Sequence, residues 1–246
     1  MGLFVVILTA RENGIWRNES RYLDAPLVTI VLDILLSWWI APPIGKAAMT
    51  FGKLIMWATE QQPFIMGILV SVVVGIALTL PISSAAICAA LGLTGLAGGA
   101  AVAGCCAQMV GFAVMSFKEN KWGGLVSQGI GTSMLQMPNI VKNPRVWLPP
   151  IITSALTDPL ATCVFKLEMN GPAINSGMGT CGLCGQIEVI QGWVNEVASG
   201  AKSGITFMDG LGLILISFIL PAILSPLFRR LLERIGWIKE GDLTLG

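Results

Sequence analysis

Apolar and polar positions come in long blocks along this chain. Arg11 to Asp24 is charged, and Pro26 to Ile40 is apolar around a single Asp33 until Pro42-Pro43 stops it. Between Ile44 and Glu60 the pattern changes. Lys46, Thr50, Lys53, Trp57 and Glu60 recur at steps of four and three, so they share one face of a predicted helix. Such a helix suits the membrane interface, with lysines toward headgroups and Trp57 at the boundary; an ordinary amphipathic connector has the same pattern. From Gln61 to Phe117 no side chain is charged. A soluble domain needs charge on its surface and only short apolar pieces inside. A bilayer takes roughly 20 apolar residues per helical crossing, so this run predicts two crossings and the turn between them.

Within that run Phe64–Leu80 reads as one crossing, ended or kinked by Pro81. Ile82–Leu93 and Ala97–Phe117 follow, split around the small-residue stretch Gly92–Gly104, which predicts close helix packing in lipid. Lys118–Lys121 reads as a short polar turn. Trp122–Val141 carries no charge but much polarity, including Ser127, Gln128, Thr132, Ser133, Gln136 and Asn139, loosened by Gly123, Gly124, Gly129 and Gly131. Ile151–Phe165 is apolar again, interrupted by Asp158-Pro159. Met169–Gln186 is rich in glycine, carries a proline and has no charge after Glu168. A short helix is expected over Ile187–Ser199 and a last crossing over Ile205–Phe228. Arg229, Arg230, Arg234 and Lys239 come next, which by the positive-inside rule sets the C-terminal end in the cytoplasm. The short apolar start, Met1–Ala10, has no basic region before it and reads as the end of a helix, not as a secretory signal.

Composition agrees with the pattern. Apolar residues make up 54% and charged residues 12% of the chain, about half the usual charged share. Mean hydropathy is +0.76. The expected fold is therefore all-α: a polytopic membrane helical bundle with re-entrant or broken-helix segments and an interfacial amphipathic helix, in a single domain over residues 1–246. The net charge of +1 and the lack of a basic stripe argue against a nucleic-acid partner. With no histidine in the chain, histidine acid–base chemistry, histidine metal ligation and a phosphohistidine are excluded. The six cysteines do not make a secreted disulfide framework, and Cys105-Cys106 read as small packing residues.

Irregular backbone at membrane depth is expensive unless it is buried in protein or lines a wet cavity, and carriers use such breaks to hold their substrate. Two segments have this character, Gln128–Asn139 and Asn170–Gln186. Their amides and hydroxyls suit a neutral polar ligand, because Asn and Gln both donate and accept. The other reading is a pair of extramembrane loops. Gly177–Gly182 spells G-x-G-x-x-G, but no strand or βαβ unit surrounds it. Cys181–Cys184 spells C-x-x-C, but lacks the further ligands a metal needs, and no metal or other cofactor is expected. Asp33, Asp158, Glu168 and Asp209 interrupt apolar sequence and are functional candidates on that ground. Glu168 stands out, bordering the Asn- and Gly-rich segment, where it would bind or deprotonate a substrate hydroxyl; alternatively it pairs with Lys166 or is solvated.

Leu80-Pro-Ile-Ser-Ser84, Gly104–Phe112, Gln128–Ile140 and Gly177–Gln186 resemble the EIIC-type membrane subunits of the bacterial phosphotransferase system. The branch is the one that includes perfringolysin regulator-like membrane proteins. The likeness runs over nearly the whole chain to the tail Gly236–Asp242, and the chain is shorter at its N-terminus than such subunits usually are. The resemblance implies a multi-pass sugar-translocating subunit of the bacterial inner membrane, usually a homodimer, served by separate IIA and IIB phosphocarriers. It implies that a sugar meets Gln128, Gln136, Asn139, Asn170, Asn175, Thr180 and Gln186, with Glu168 in the catalytic position. Better-known sugar permeases of the system use a histidine and a glutamate near the sugar, and this chain has only Glu168 to offer. Two further readings follow: a carrier or channel for a small polar metabolite without phosphorylation, and a membrane-bound regulator of toxin expression.

Overall fold

The structure, a computed structural model, describes Lys46 and residues 49–245. The expected crossing Pro26–Ile40, with Asp33, and the segment Met1–Ala10 lie outside the described residues. The compact unit considered below is Thr50–Gly246. Its described residues are helical, with one isolated bridge between Gly95 and Met169 and no named strand.

Residues 50–61 form helix α1. Gly52 and Thr59 are buried while Lys53, Trp57 and Glu60 are exposed, as the amphipathic spacing predicts. Phe51 and Leu54 are exposed as well, so the helix has apolar surface outside its packed stripe. Helix α2 is Pro63–Thr79, with proline in its first turn, where a missing N–H costs nothing. It stops because Pro81 forces Leu80 into extended backbone (ψ 156°). Helix α3, Ser84–Leu91, starts from the Ser83 side chain, which accepts from the Ala86 N–H, and ends at Gly92 in the left-handed conformation.

Helix α4, Gly95–Met115, is the axis of the unit. Of its most apolar window 94% is buried inside the protein. The helices around it touch its backbone. A Cβ on Gly99 would fall 1.7 Å from the Leu167 carbonyl oxygen, and one on Gly104 would fall 1.9 Å from that of Ser71. The small residues of the Gly92–Gly104 stretch thus serve packing, and Cys105 and Cys106 are wholly buried among them.

Helix α5, Phe117–Val126, has a kink at Lys121 (φ 52°) where a turn was expected. A π-turn follows at Ser127–Gly131, then a 3₁₀ turn at Ser133–Gln136 and helix α6, Met137–Lys142. Helix α7, Leu148–Pro159, runs back along α4 and relaxes into a π-turn at Leu160–Val164. After the four-residue helix α8, Ala173–Ser176, comes α9, Cys184–Ala198. Helix α10, Phe207–Ile214, opens with a capping box between Thr206 and Asp209. It continues through a π-turn at Leu215–Ile219 into α11, Leu220–Arg234. The last two π-turns lie beside Pro159 and Pro221, which remove one N–H each from the helical ladder.

Two described helices are long and apolar enough to cross a membrane, Gly95–Met115 and Phe207–Arg234; α2 is apolar but shorter. Only 33% of the second is buried, and Ile214, Ile219, Ile223, Leu227 and Leu231 face outward. Apolar side chains on the outside and small ones on the axis suit lipid as the surroundings.

At the end where α4 finishes, Arg229 of α11 donates to the Met115 carbonyl and binds the Glu119 carboxylate, its Nη1 lying 3.0 Å from Oε2. Its Nε also donates to Glu233 at 2.7 Å. Burial opposes the charge on Glu119, but the hydrogen bonds and charge of Arg229 prevail and hold its pKa below the ordinary carboxylate value.

Three outcomes follow from this packing, read by thermal or denaturant unfolding in detergent. Gly104→Val destabilises by about 3 kcal/mol or prevents folding, since its side chain meets the Ser71 backbone. Gly123→Ala, with nothing within 4 Å of the new Cβ, is neutral or mildly stabilising. Glu119→Gln costs on the order of 3 kcal/mol by leaving Arg229 buried without its main partner. Because folding lowers the Glu119 pKa, its contribution is complete above the unfolded value and is lost as pH falls through the folded one. The parent therefore loses stability below about pH 4–5, and Glu119→Gln flattens that loss.

Candidate functional site

Three of the segments singled out in the sequence meet at one place. The chain turns at Pro81, and the first turn of α3 docks on the glycine-rich segment, with Ser84 Oγ donating to the Gly177 carbonyl at 2.7 Å. Gly179, at φ +54°, then passes so close to α4 that a Cβ would lie 2.6 Å from Cys105 Cβ. Only glycine meets both demands without strain. Next, Thr180 Oγ1 donates to the Gly129 carbonyl at 2.6 Å, joining this segment to the π-turn Ser127–Gly131. The π-turn is what leaves that carbonyl free to accept a bond from outside its own helix.

Between these pieces lies a cleft of ≈ 390 Å³, lined by Leu78, Pro81, Ser83, Thr132, Met178 and Cys181 among others, none of them charged. It lies near the middle of α4, since its neighbours Gly179 and Thr180 touch Cys105 and Met109. Beside it, Thr79 Oγ1 and Ser133 Oγ are 3.0 Å apart and fully buried. Thr79 is also 3.4 Å from Gln108 Oε1, which accepts from Trp147 Nε1 at 3.0 Å. The Gln108 side-chain nitrogen is buried without a partner. A hydroxyl-and-amide line thus runs from the cleft wall toward the far end of α4. Thr132 and Ser133 belong to the segment Gln128–Asn139 that the sequence offers for a polar ligand, whereas Ser83, Ser84, Thr79 and Gln108 are not picked out there as site residues. A serine before a helix is an ordinary cap, and the other pairings join distant parts of the chain.

The predicted site residues are spread along α4. Gln128, Gln136 and Asn139 are buried and linked: Gln136 Nε2 donates to Gln128 Oε1 at 2.9 Å, and Asn139 Nδ2 to Gln136 Oε1 at 2.8 Å. They face the tail of the chain, with Gln136 Nε2 3.1 Å from the Leu243 carbonyl and Asn139 Nδ2 3.0 Å from that of Thr244. Thr180 borders the cleft. Gln186 is buried against Cys106, 3.1 Å from its Sγ, and its Oε1 has no partner. Asn175 is half-buried on α8.

Glu168 and Asn170 are exposed at the opposite end, where α4 begins, because Met169 bridges to Gly95. There Asn170 Nδ2 donates to Glu168 at 3.2 Å and also to Glu196. Glu168 lines a separate polar cleft of ≈ 280 Å³ with Trp193, Glu196, Lys202 and Asp209. Lys202 covers the Trp193 ring at 5.3 Å and pairs with Asp209 at 2.8 Å. Of the other acidic candidates, Asp158 is fully buried beside Gly67, with Thr162 Oγ1 3.5 Å from its Oδ2 and its Oδ1 unpartnered. Among the described residues no group of His, Cys, Asp or Glu could hold a metal ion.

Comparison with curated proteins and with solved structures finds no match. A family model does match: that of the phosphotransferase system, EIIC, over residues 18–245. That range takes in every segment that meets at the cleft and the tail that docks at the far end of α4, so the chain belongs to the EIIC family, the sugar-transporting membrane component of that system.

Proposed function

We propose that the cleft between the Pro81 turn, Thr132 and Gly177–Cys181 is where this subunit holds its sugar. The observation that carries the reading is the convergence of three separate sequence segments on one uncharged, mid-helix cleft. Hydroxyls and apolar walls fit a neutral polyol, whose faces are part apolar and whose rim both donates and accepts. Ser83, Ser84 and Thr132 are its polar contacts, with Thr180 bracing the wall behind them, and Met178 and Pro81 its apolar floor.

Lys118, Lys142, Arg145, Arg230 and Arg234 cluster where α4 finishes, and Glu168, Glu188 and Glu196 where it begins. By the positive-inside rule the basic end faces the cytoplasm, where IIA and IIB phosphocarriers work, in a multi-pass, paired arrangement of the kind the family uses. Glu168 then lies on the outer side, suited to meeting the sugar on entry rather than to activating the hydroxyl that takes the phosphoryl group. The cleft offers no carboxylate as base. That favours, as a second reading, carriage of a polar metabolite without phosphorylation.

Sugars of the right shape raise the melting temperature of the detergent-purified protein, because a ligand that binds only the folded form stabilises it. Met178→Trp, which fills the cleft, weakens that sugar about tenfold or more, whereas Glu168→Gln leaves equilibrium binding within about twofold. The reverse ranking overturns the assignment. Proteoliposomes with IIA, IIB and phosphoenolpyruvate form sugar phosphate; uptake without phosphoenolpyruvate selects the second reading.

A further inference from the structure

The buried carboxamides at the finishing end of α4 have an occupant within the chain. Past α11, residues 236–245 turn back and lie across α5, α6 and the 3₁₀ turn Ser133–Gln136. Only two side chains of this stretch are buried, Ile238 and Leu243, packed with Phe112, Met115, Ile140 and Val146. Residues 239–241 between them are exposed. The remaining grip is on the main chain. Asn120 clasps residues 243–245 from both sides, Nδ2 donating to the Leu243 carbonyl and Oδ1 accepting from the Leu245 N–H, each at 2.8 Å. Gln136 and Asn139 donate to the Leu243 and Thr244 carbonyls. Asn143 Nδ2 reaches the Trp237 carbonyl at 3.1 Å and Asp242 Oδ2 at 2.9 Å.

Two of the turns that carry them, though not their carboxamides, also border the cleft. Gln128 stands in the π-turn whose Gly129 carbonyl holds Thr180, one residue before Cys181. Gln136 closes the 3₁₀ turn whose Ser133 is joined to Thr79, between Thr132 and Met134 of the cleft lining. Force on the strap therefore passes from Leu243 and Thr244 through Gln136 and Gln128 to both sides of the cleft. Side-chain amides bonded to main-chain carbonyls are replaceable by water one at a time, while a strap with two apolar anchors leaves as a unit.

We infer that residues 236–245 are a strap that, docked on Asn120, Gln136 and Asn139, holds the broken helix 127–136 against Thr180 and so keeps the cleft narrow. Undocking it frees the π-turn and opens the cleft from the basic end of the bundle. The inference concerns the site of the proposed function and rests on that reading for its meaning, but its test uses no sugar, so each can fail alone.

Cys181 lines the cleft and reports on it. With Cys163→Ser and Cys184→Ser as background, the remaining Cys88, Cys105 and Cys106 are buried, so a small maleimide added to the purified full chain reads Cys181. Leu243→Asp puts a charge into the apolar anchor site, and Asn120→Ala with Asn143→Ala removes side-chain grips while sparing the anchors. Both raise the Cys181 alkylation rate about fivefold or more, in proteins that stay monodisperse and helical. Rates within about twofold of the parent in folded variants overturn the inference. So does loss of folding in both, since a segment that cannot leave without unfolding the protein is part of the core and not a strap.

Discussion

Backbone-to-backbone contact along α4 is the constraint on which the other elements depend. Gly99 and Gly104 let the Leu167 and Ser71 carbonyls approach to within a distance no side chain would permit. Gly75 of α2 lies against the Gly104 carbonyl and the Gln108 side chain, and Gly111 of α4 against the Ser225 side chain. In lipid there is little hydrophobic gain from bringing apolar helices together, so close packing and satisfied polar groups have to supply the association. The glycines supply the first and explain why so polar a residue as Gln108 can sit at the centre of the unit, under a neighbour with no side chain.

The cleft forms where a helix around α4 breaks. Three π-turns interrupt these helices, at Ser127–Gly131, Leu160–Val164 and Leu215–Ile219, the last two beside Pro159 and Pro221. Each turn releases carbonyls that must find other partners. At Gly129 the partner is Thr180, and this one bond draws the glycine-rich segment across the mouth of α3. The cleft is the space left where a broken helix, a proline turn and a glycine-rich passage cannot fill the same corner. Polar groups line it because broken helices expose them, which is the physical reason the proposed sugar site falls here and not along the unbroken faces.

Much of this was legible in the sequence. The uncharged run Gln61–Phe117, the stop at Pro81 and the small residues of Gly92–Gly104 follow from composition and spacing. The structure ends α2 at Pro81 and packs α4 through its small residues; of the two crossings the run predicts, α4 is long enough and α2 is shorter. The breaks in Gln128–Asn139 were legible too. What they bind was not, because Gln136 meets a carbonyl of Leu243 across more than a hundred residues of chain. Glu168 lies apart from the cleft for a related reason. In sequence it adjoins the glycine-rich segment, but Met169 is pinned to Gly95 at the start of α4 while Thr180 reaches Met109, so the intervening residues climb half the helix. Adjacency along the chain then separates Glu168 from the cleft. Ser83 and Ser84 lie in a motif the sequence singles out, but no role follows from it there, because helix caps are common and the bond of Ser84 to Gly177 depends on folding.

On the proposed reading α4 is a scaffold with a central cleft, an acidic end on the outer side and a basic inner end. The central claim is the position of the guest. An experimental map of the protein equilibrated with the sugar that stabilises it most tests this directly. The account predicts density for the sugar bounded by Ser83, Thr132 and Met178, level with Cys105. Sugar density against Trp193 and Glu168, with the central cleft empty, would contradict it.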